Sequence, residues 1–551
     1  MNCKNHVSVL VAVLVLCLIL SAPSFAVELS VVEQAIHATG AGWVAGETSV
    51  SKLSAEQMKR RLGVIFPAVT GSEQLLAAYE SAAAGIPTHL DWRDNGGNFV
   101  TPVRNQGNCG SCWAFATAAA LESSVLRASG MPGFDLNLSE QVMLSCSGAG
   151  DCEMGGYVNY ASDYIRTTGL PIESYYRYLA TDGNCSNACS SWRASPPYKI
   201  TSWSYVATTS PTVTGLKNAL YSYGPLVTTF QVYEDFTRYT SGVYSYTSGS
   251  YLGGHAVLLV GYDDPGQYFI VKNSWDSDWG EQGYFRIAYS QLSNLVNFGY
   301  YTIAYTGISA PKQSMSVSAA SYSCQSLPAE SISSAFGVDL ALTTETAQTI
   351  PLPTILGGTT VKVKDAAGTE RLAPLFYVSP SQVNFQMPQG TSSGIATVKI
   401  TNQNGVSAGG GATVEAVGPG AFSANADGQG VAAANVLRVK ADGSQSYEPV
   451  AQYDASLKKY VPKPILLGPA TDRVYLILYG TGLRFRSSLS AVSANVGNIG
   501  AEVSYAGAQG YYVGLDQVNI LMPRGLEGRG EVSVVLGVDG KTANSVKVNI
   551  K

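Results

Sequence analysis

The most informative stretch of the chain is Gln106-Gly107-Asn108-Cys109-Gly110-Ser111-Cys112-Trp113-Ala114-Phe115. Its two cysteines, Cys109 and Cys112, have the spacing of a disulfide, of half a zinc site or of a thioredoxin-like redox motif. A zinc site needs four ligands, and only His89 and His255 accompany the cysteines from residue 87 onward. A redox role needs a βαβ frame around the motif, and the flanking sequence does not suggest one. The residues further downstream decide among these alternatives.

A second informative feature is a pair of polar residues beside two apolar runs. His255 lies at the start of the first run, in Gly253-Gly254-His255-Ala256-Val257, and Asn273 ends the second, in Val271-Lys272-Asn273-Ser274-Trp275. The turn sequence Asp263-Asp264-Pro265-Gly266 separates the runs, which predicts a hairpin with His255 and Asn273 side by side. A lone histidine is usually a core residue, but His255 is the natural candidate for a base that titrates near neutral pH.

The bulk composition indicates a folded chain of several domains. The 551 residues are too many for one hydrophobic core. Hydrophobic residues make up 46% and charged residues 13%, which argues against wholesale disorder. The 58 glycines and 33 tyrosines favour strands and turns over much of the length. The net charge of -5, without any Lys/Arg block, argues against nucleic acid as a partner.

The first 26 residues have the features of a secretion signal. Lys4 supplies positive charge, Val7 to Leu20 form an apolar run too short for a membrane span, and Ser24-Phe25-Ala26 offers small residues for cleavage. We therefore expect an exported protein, extracellular or periplasmic. Of the nine cysteines, Cys3 and Cys17 leave with the signal, and the odd remainder suggests disulfides plus a thiol kept for chemistry.

The chain between the signal and residue 307 falls into two parts. Residues 27–86 are helix-prone and irregular, and are either a small leading domain or a segment destined for removal. From residue 87, Cys112 to Leu126 is Ala-rich with the apolar spacing of a buried helix, and Ser139 is a candidate N-cap for a second helix through Leu144. Strand patterns follow after Pro225. Helices first and strands later indicate an α+β domain over residues 87–307.

The remainder of the chain has an all-β pattern with an internal repeat. Runs such as Val361 to Lys364 and Ala396 to Ile400 alternate as half-buried strands do. The sequence Gln382-Val383-Asn384-Phe385-Gln386-Met387-Pro388-Gln389-Gly390 recurs as Gln517-Val518-Asn519-Ile520-Leu521-Met522-Pro523-Arg524-Gly525. The separation of the two copies, from Gln382 to Gln517, is too long for a solenoid repeat. It therefore predicts two tandem β-sandwiches, at 316–417 and 418–551.

From about Pro87 to Ala304 the chain resembles the papain family of cysteine proteases, which implies a two-lobed α+β fold. Gln106, Cys112, His255 and Asn273 occur in the family's order and surroundings. Two further stretches add to the resemblance: Ser241-Gly242-Val243-Tyr244 and Trp279-Gly280-Glu281-Gln282-Gly283-Tyr284.

The resemblance implies a mechanism that needs neither a metal nor a cofactor. Cys112 is the nucleophile, held as a thiolate by the start of a helix and by the imidazolium of His255, which later protonates the leaving amine. Asn273 orients the imidazole and Trp275 shields that contact from water. The side-chain amide of Gln106 and the Cys112 N–H supply the oxyanion donors.

The resemblance also implies disulfides and substrate contacts. Cys109 pairs with Cys152 and Cys146 with Cys185, whereas Cys189 and Cys324 either pair or stay free. Gly155 and Gly156 resemble the family's backbone clamp for an extended peptide. By position, three residues line the main specificity pocket, with ordinary packing as the alternative for each: Val158, Thr229 and Gly254.

The segment before the protease-like region resembles the short propeptide of cathepsin B-like enzymes, on Trp43-Val44-Ala45-Gly46 and Leu62-Gly63. It is expected to occupy the cleft and inhibit the protease until cleavage near Ala84 to Pro87. Paired histidines of the kind found in cathepsin B's occluding loop are absent, which favours endopeptidase action on protein or peptide substrates.

The tail loosely resembles immunoglobulin-like tails of secreted bacterial proteins, either as a spacer or as a binder of a surface or polymer. Two rival hypotheses are an inactive protease-like scaffold and a peptide ligase.

Overall fold

Within the part of the chain that holds the candidate site, most helices precede the long strands of the sheet. The computed structural model describes residues 27–67, 85–195 and 197–551, so the predicted signal and Ala84, the first residue of the predicted cleavage region, lie outside the described residues. The chain divides into two units, the first comprising Met1–Cys185 and Tyr198–Ala310, and the second Ser186–Pro197 and Pro311–Lys551. No helix among the described residues is both long and apolar enough to span a membrane.

The first unit contains six α-helices among its described residues. They are α1 (Leu29–Thr39), α2 (Ala55–Lys59), α3 (Cys112–Ser129), α4 (Glu140–Cys146), α5 (Val158–Thr167) and α6 (Val213–Tyr223). The central helix α3 is buried from its first residue to Leu126, and its alanines let it pack closely against a long strand of the sheet. Gly130 ends it in the left-handed conformation at φ 62°. The Ser139 hydroxyl accepts the Val142 N–H and so caps α4, as its position predicts.

The strands of the first unit form a nine-stranded sheet and a small two-stranded one. They are β1 (Trp43–Ala45), β2 (His89–Asp91), β3 (Gly150–Asp151), β4 (Gly155–Gly156), β5 (Lys199–Ala207), β6 (Leu226–Tyr233), β7 (Tyr239–Tyr244), β8 (Tyr251–Asp263), β9 (Tyr268–Lys272), β10 (Tyr284–Ala288) and β11 (Tyr300–Ser309). The large sheet has the order β1-β7-β10-β9-β8-β6-β11-β5, with β2 paired to β8. The antiparallel pair β8 and β9 is the predicted hairpin.

Strand β1 comes from the leading segment and was not expected from its sequence. Trp43 pairs with Gly242 and Val44 with Ser241, so the segment extends the edge of the large sheet. Trp43 itself is buried, with its ring 5.3 Å from Tyr244 and its indole N–H donating to the Ser245 carbonyl at 3.0 Å. The leading segment is therefore packed onto the α+β unit as part of the same fold.

The second unit begins with a pair of sheets that share one core. The strands are β12 (Ser314–Ser318), β13 (Ile332–Gly337), β14 (Glu345–Thr346), β15 (Thr360–Lys364), β16 (Glu370–Leu372), β17 (Leu375–Val378), β18 (Gln382–Gln386), β19 (Gly394–Thr401) and β20 (Ser407–Val414). The sheet orders are β12-β13-β18-β17-β14 and β16-β15-β19-β20. Buried residues of both sheets, such as Phe385 and Val398, belong to one apolar cluster, which is the arrangement of a β-sandwich.

A second pair of sheets follows with a separate core. Its strands are β21 (Gly420–Ala421), β22 (Ala434–Val439), β23 (Gln445–Pro449), β24 (Ala451–Asp454), β25 (Lys459–Pro462), β26 (Pro464–Ile465), β27 (Arg473–Thr481), β28 (Val492–Val496), β29 (Ile499–Ala501), β30 (Val503–Ala508), β31 (Asp516–Leu521), β32 (Gly530–Val538), β33 (Lys541–Thr542) and β34 (Val546–Ile550). The main orders are β23-β22-β27-β31-β30 and β26-β34-β32-β28-β29. The repeated sequence motif forms β18 in the first pair and β31 in the second, each flanked by a strand on both sides.

A short segment between α5 and β5 belongs to the second unit, although it interrupts the α+β region in sequence. Residues Ser186–Pro197 leave the first unit after Cys185 and return at Tyr198. Within the second unit Cys189 is disulfide-bonded to Cys324, and the Ser195 hydroxyl accepts the Gly411 N–H at 2.9 Å. The predicted continuous span 87–307 did not anticipate this excursion, because the segment carries no local pattern typical of a sandwich.

Candidate active site

Cys112 is the first residue of α3 and is completely buried. The Gly63 N–H donates to its thiol at 3.4 Å, and the nearby backbone N–H groups of Ala256, Trp113 and Cys112 itself also act to lower the pKa of the thiol. The neighbouring Cys109 is disulfide-bonded to Cys152, and Cys112 is the free cysteine among the described residues. The sulfur therefore lies at a helix start surrounded by donors, an arrangement that favours a thiolate once water can reach it.

His255 and Asn273 are brought together by the hairpin of β8 and β9. The His255 Nε2 lies 2.8 Å from the Asn273 Oδ1, and both side chains are buried. The Trp275 ring packs on the imidazole, with centroids 4.9 Å apart. The other ring nitrogen, Nδ1, has no hydrogen-bond partner among the described residues, so it is available to exchange a proton. The backbone N–H of Ala256, which follows His255 on β8, acts to lower the pKa of the Cys112 thiol.

Gln106 is held so that its amide can act as a donor. Its Oε1 accepts from the Ser274 hydroxyl at 2.7 Å, and its backbone N–H donates to the Ser274 carbonyl at 2.9 Å. The Nε2 donates to the Cys109 carbonyl at 2.8 Å and to the Arg61 carbonyl at 2.8 Å. Arg61 belongs to the leading segment, so a peptide carbonyl already occupies the donor that the resemblance assigns to an oxyanion.

The leading segment continues across the cysteine as an extended chain. The Gly63 N–H donates to the Cys112 sulfur at 3.4 Å, and the Gly63 carbonyl accepts the Gly156 N–H at 2.7 Å. The next two N–H groups, of Val64 and Ile65, donate to the carbonyls of Gly254 and Gly156 at 3.1 and 3.0 Å. Gly156 and Gly254 thus bind an extended peptide through main-chain hydrogen bonds.

Gly63 makes the tightest backbone approach in this crossing. A Cβ atom added to it would lie 1.8 Å from the Gly110 carbonyl oxygen, and a Cβ added to Gly155 would lie 2.1 Å from the Gly63 carbonyl oxygen. Such distances are far inside van der Waals contact. Gly63 can therefore approach Gly110, and Gly155 can approach Gly63, only because Gly63 and Gly155 have no side chain. Leu62-Gly63, noted from the sequence as a propeptide-like pair, lies at the point where the segment crosses the thiol.

Burial under the leading segment keeps both titratable groups neutral. Desolvation raises the pKa of the Cys112 thiol to about 11, against the opposing effect of the N–H groups around it. Desolvation lowers the pKa of His255 to about 4, although its hydrogen bond to Asn273 favours the protonated form. The thiolate–imidazolium pair expected from the resemblance is therefore not the stable state while the segment is in place, because both charges would be buried without water.

The candidate pocket residues have different surroundings. A Cβ added to Gly254 would lie 2.8 Å from the Phe66 ring of the leading segment, so Gly254 is in contact with a bound side chain. Val158 is the buried first residue of α5, and the buried Thr229 donates its hydroxyl to the Tyr300 carbonyl at 2.6 Å. Gly254 thus contacts the segment directly, while the substrate roles of Val158 and Thr229 remain predictions.

Two contacts of the segment were not anticipated from the sequence. The Tyr301 ring lies 5.8 Å from the Phe66 ring, and its hydroxyl donates to the Pro67 carbonyl at 2.7 Å. Arg238 is buried and donates to the Val27 carbonyl and to the Glu47 carboxylate, the latter at 2.6 Å. Neither Tyr301 nor Arg238 belongs to a motif, and only the folded segment reveals their partners.

The disulfides of the first unit are those that the resemblance implies. Cys109 is bonded to Cys152, and Cys146 to Cys185. The local positions of the cleft loops are thus held by two covalent links.

Comparisons with known proteins agree with this geometry. The family described as "Papain family cysteine protease" matches residues 86–303. Pro-cathepsin H of Mus musculus is 41% identical over 219 residues, covering 38% of this chain and 62% of that protein. Pro-cathepsin H of Bos taurus is 36% identical over 252 residues, covering 44% of this chain and 71% of that protein.

A cathepsin L-like proteinase of Fasciola hepatica is 38% identical over 216 residues, covering 38% of this chain and 63% of that protein. Among solved structures, digestive procathepsin L2 proteinase from Tenebrio molitor larval midgut is 31% identical with a TM-score of 0.43, covering 50% of this chain and 87% of that one. The chain spans 62–63% of the length of several of these curated relatives. Because the identity to bovine pro-cathepsin H extends over more than two thirds of that protein, the chain belongs to the papain family of cysteine proteases.

Proposed function

We propose that this protein is an exported cysteine endopeptidase made as an inactive precursor. The observation that carries the proposal is a peptide that already lies in the cleft, with the Arg61 carbonyl on the Gln106 amide and the Gly63 N–H on the Cys112 sulfur. A site that binds a peptide backbone beside a buried thiol at a helix start, with a histidine on strand β8, is suited to acyl transfer from peptides.

The leading segment is proposed to be the inhibitor of this site. It occupies the oxyanion donor and excludes water from Cys112 and His255, both fully buried. The sulfur meets the Gly63 N–H, a hydrogen-bond donor, where cleavage needs an electrophilic carbonyl carbon. The segment therefore binds like a peptide in the cleft without presenting a bond for attack.

Removal of the segment is proposed to create the reactive ion pair. Water entering the cleft reverses the desolvation that holds the pKa of Cys112 at about 11 and that of His255 at about 4, so the proton moves from sulfur to imidazole. The thiolate then attacks a peptide carbonyl, and His255 protonates the departing amine to leave a thioester on Cys112. Water, deprotonated by His255, hydrolyses this thioester and restores the thiol.

Asn273, Gln106 and Trp275 are proposed to support these steps. Asn273 holds the imidazole at Nε2, so Nδ1 faces the proton-transfer path. The Gln106 amide is fixed by Ser274 and Cys109, so its remaining N–H is aimed where the Arg61 carbonyl now lies. Losing one such donor typically lowers the rate about 10²–10³-fold.

An apolar side chain is the proposed substrate preference. Phe66 lies against Gly254 and beside the Tyr301 ring, so this part of the cleft already accepts an aromatic side chain. Val158 and Thr229 are proposed to complete the same pocket. A peptide-library profile of the processed enzyme tests the preference, and selection of charged residues at that position would contradict it.

The direct test compares Cys112 alkylation by iodoacetamide in the precursor and in the processed protein at pH 6. In the precursor a thiol pKa of about 11 leaves only about 10⁻⁵ of Cys112 as thiolate, so we expect protection. In the processed protein we expect rapid alkylation with parallel loss of peptide hydrolysis, and neither event in Cys112→Ser. A processed protein that alkylates like a free thiol and cleaves nothing is the inactive scaffold, and amide products formed with an added amine identify a ligase.

Export and the role of the tail belong to the same proposal. The signal features of residues 1–26 support export to the extracellular or periplasmic space. The tail, with two β-sandwich cores, is proposed to be immunoglobulin-like and to act as a spacer or to bind a surface or polymer.

A further inference from the structure

Tyr178 makes hydrogen bonds to both sides of the candidate oxyanion site, although no motif singles it out. Its hydroxyl lies 2.8 Å from the Gln106 carbonyl oxygen and 2.6 Å from the Ser111 hydroxyl. A carbonyl can only accept, so the Tyr178 proton goes to Gln106 and the Ser111 hydroxyl donates to the Tyr178 oxygen. One phenol group thus joins the backbone of Gln106 to the residue that precedes Cys112.

The role of Ser111 at the start of α3 makes this contact unusual. Ser111 occupies the N-cap position, where a serine hydroxyl normally accepts a backbone N–H of its own helix. Here the hydroxyl makes no such bond and is directed to Tyr178. The N–H groups of Cys112 and Trp113 at the start of the helix are consequently left for the Cys112 sulfur and for an incoming carbonyl.

Tyr178 is itself fixed from several directions. Its backbone N–H donates to the Glu173 carboxylate at 2.6 Å, and its ring meets the Phe115 ring edge-on with centroids 4.7 Å apart. Burial raises the pKa of the Tyr178 hydroxyl above its ordinary range, so it stays protonated as a donor near neutral pH. Tyr178 is therefore held in place by its neighbours, and its hydroxyl keeps the proton that it donates to the Gln106 carbonyl.

We propose that Tyr178 is a positioning residue that sets the separation between the two oxyanion donors, the Gln106 amide and the Cys112 N–H. The inference rests on the proposed function, because it concerns the stabilisation of a tetrahedral intermediate at that site. Such donors act only when held within about 0.5 Å of the productive geometry, and a shift of about 1 Å can lower a rate about 10²-fold. Gln106 and Ser111 lie on different sides of the Cys109 loop, so a link through a third residue fixes their distance better than the loop alone.

The test is Tyr178→Phe in the processed enzyme, with Tyr176→Phe as the matched control. Tyr176 lies on the same loop, is buried where Tyr178 is half-buried, and donates its hydroxyl to the Asn184 carbonyl at 3.1 Å, away from Gln106 and Ser111. We expect Tyr178→Phe to lower kcat about 10-fold with little change in KM, because the donors act mainly in the transition state. Tyr176→Phe is expected to change neither constant more than about twofold.

A second readout separates positioning from general damage. Alkylation of Cys112 by iodoacetamide needs the thiolate but no oxyanion site, so its rate should be unchanged in Tyr178→Phe. Affinity for a peptide aldehyde, whose adduct places an oxygen in that site, should fall by the same factor as kcat/KM. Ser111→Ala, which removes the other half of the bridge, is expected to show the same pattern and covers the case in which Tyr178→Phe does not fold.

Two results would overturn the inference. One is unchanged kcat in both bridge variants, and the other is an alkylation rate that falls in step with kcat, which would mean that the bridge acts on the thiol. Failure of the proposed function looks different, because the unmutated processed protein would then neither hydrolyse peptides nor bind the aldehyde.

Discussion

At the scale of single residues, the proposed inhibition depends on a glycine and not on a side chain. Gly63 crosses the thiol at the closest backbone approach of the leading segment, and its carbonyl and N–H both bond the cleft. A side chain there has no space, because the Gly110 carbonyl lies where its Cβ would be. The cleft accepts the segment at this point because Gly63 has no side chain, a property that does not depend on any side-chain motif.

We therefore expect Gly63→Ala to weaken inhibition in the intact precursor. The added methyl must displace the segment from Gly110, which lets water reach Cys112 and lowers the pKa of its thiol. Alkylation of Cys112 by iodoacetamide, measured by intact mass at pH 6, should accelerate at least about 10-fold. Gly42→Ala is the control within the same segment, because a Cβ there meets no atom within 4 Å. Equal protection of Cys112 in both variants would contradict this account of Gly63.

The proton balance of the catalytic pair leads to a further expectation at this scale. The covered site holds one proton, on the sulfur, and the open ion pair also holds one, on the imidazole. Because the number of bound protons is the same, this pair by itself makes release of the segment independent of pH over the range in which the open pair keeps its single proton. Any acid dependence of release must come from other groups.

At the scale of elements, the leading segment is attached by a strand and an ion pair. Strand β1 extends the sheet at β7, and Glu47 pairs with the buried Arg238 just beyond it. Arg238 lowers the pKa of Glu47. The pairing therefore contributes fully above the ordinary pKa of a glutamate, and its contribution is lost as the pH falls through the lowered pKa. Acid is thus expected to loosen the segment.

The corresponding prediction concerns Glu47→Gln. Removing the charge leaves Arg238 buried without its carboxylate at any pH, so we expect faster conversion of the precursor near pH 6 and a weaker acceleration by acid. Conversion is followed by gel and by the appearance of peptide hydrolysis over a range of pH. Glu56→Gln is the control, because Glu56 belongs to the same segment but pairs only with the exposed Lys59. An unchanged pH profile in Glu47→Gln would exclude this ion pair as the acid-sensitive contact.

At the scale of the whole molecule, the tail is not simply appended after the α+β region. The segment Ser186–Pro197 comes from within that region yet folds with the second unit. It packs at β20, an edge strand, where Ser195 accepts the Gly411 N–H and Ser190 bonds the Thr413 hydroxyl at 2.7 Å. An unpaired edge is a liability for a β-sheet, and here a donated segment covers part of it. The Cys189–Cys324 disulfide makes the arrangement covalent.

This topology predicts that cutting the linker does not free the tail. With a specific protease site inserted after Ala310, cleavage should leave one species on a non-reducing gel and two on a reducing gel, because Cys189 and Cys324 lie on opposite sides of the cut. Cys324→Ser with the same insertion should yield two species under both conditions. Release of the tail from the unmutated cysteine pair without reductant would contradict the topology.

Truncation of the chain at Gly307 is expected to impair folding, because it also separates the donated segment Ser186–Pro197 from its partner. It leaves Cys189 unpaired and removes the strand that contacts Ser191, so the donated segment loses its partner. We expect lower yield and thiol-linked dimers, both relieved in part by Cys189→Ser. Hydrolysis of small peptides by the properly folded fraction should persist, since every candidate catalytic residue lies within the first unit.

Local pattern was sufficient for much of the architecture. The Ala-rich run after Cys112, the Ser139 cap and the alternating runs of the tail each formed the expected element, because helix and strand periodicity is a property of neighbouring residues. The turn at Asp263 to Gly266 likewise brought His255 to Asn273. A family resemblance carried by motif spacing identified the two disulfides of the first unit and the cysteine left free.

Tertiary structure alone revealed how these parts meet. The sequence singled out Trp43 and Gly63 as propeptide-like but not the contacts that they make. The Arg61 carbonyl on Gln106, the passage of Gly63 over the thiol and the addition of Trp43 to the sheet are contacts of backbone atoms, which every residue possesses. The hydrogen bond from Tyr178 to Gln106 and the Cys189–Cys324 disulfide join residues that are far apart in the sequence. Such partners are selected by the path of the whole fold, because proximity between distant segments depends on packing that local residue preferences do not encode.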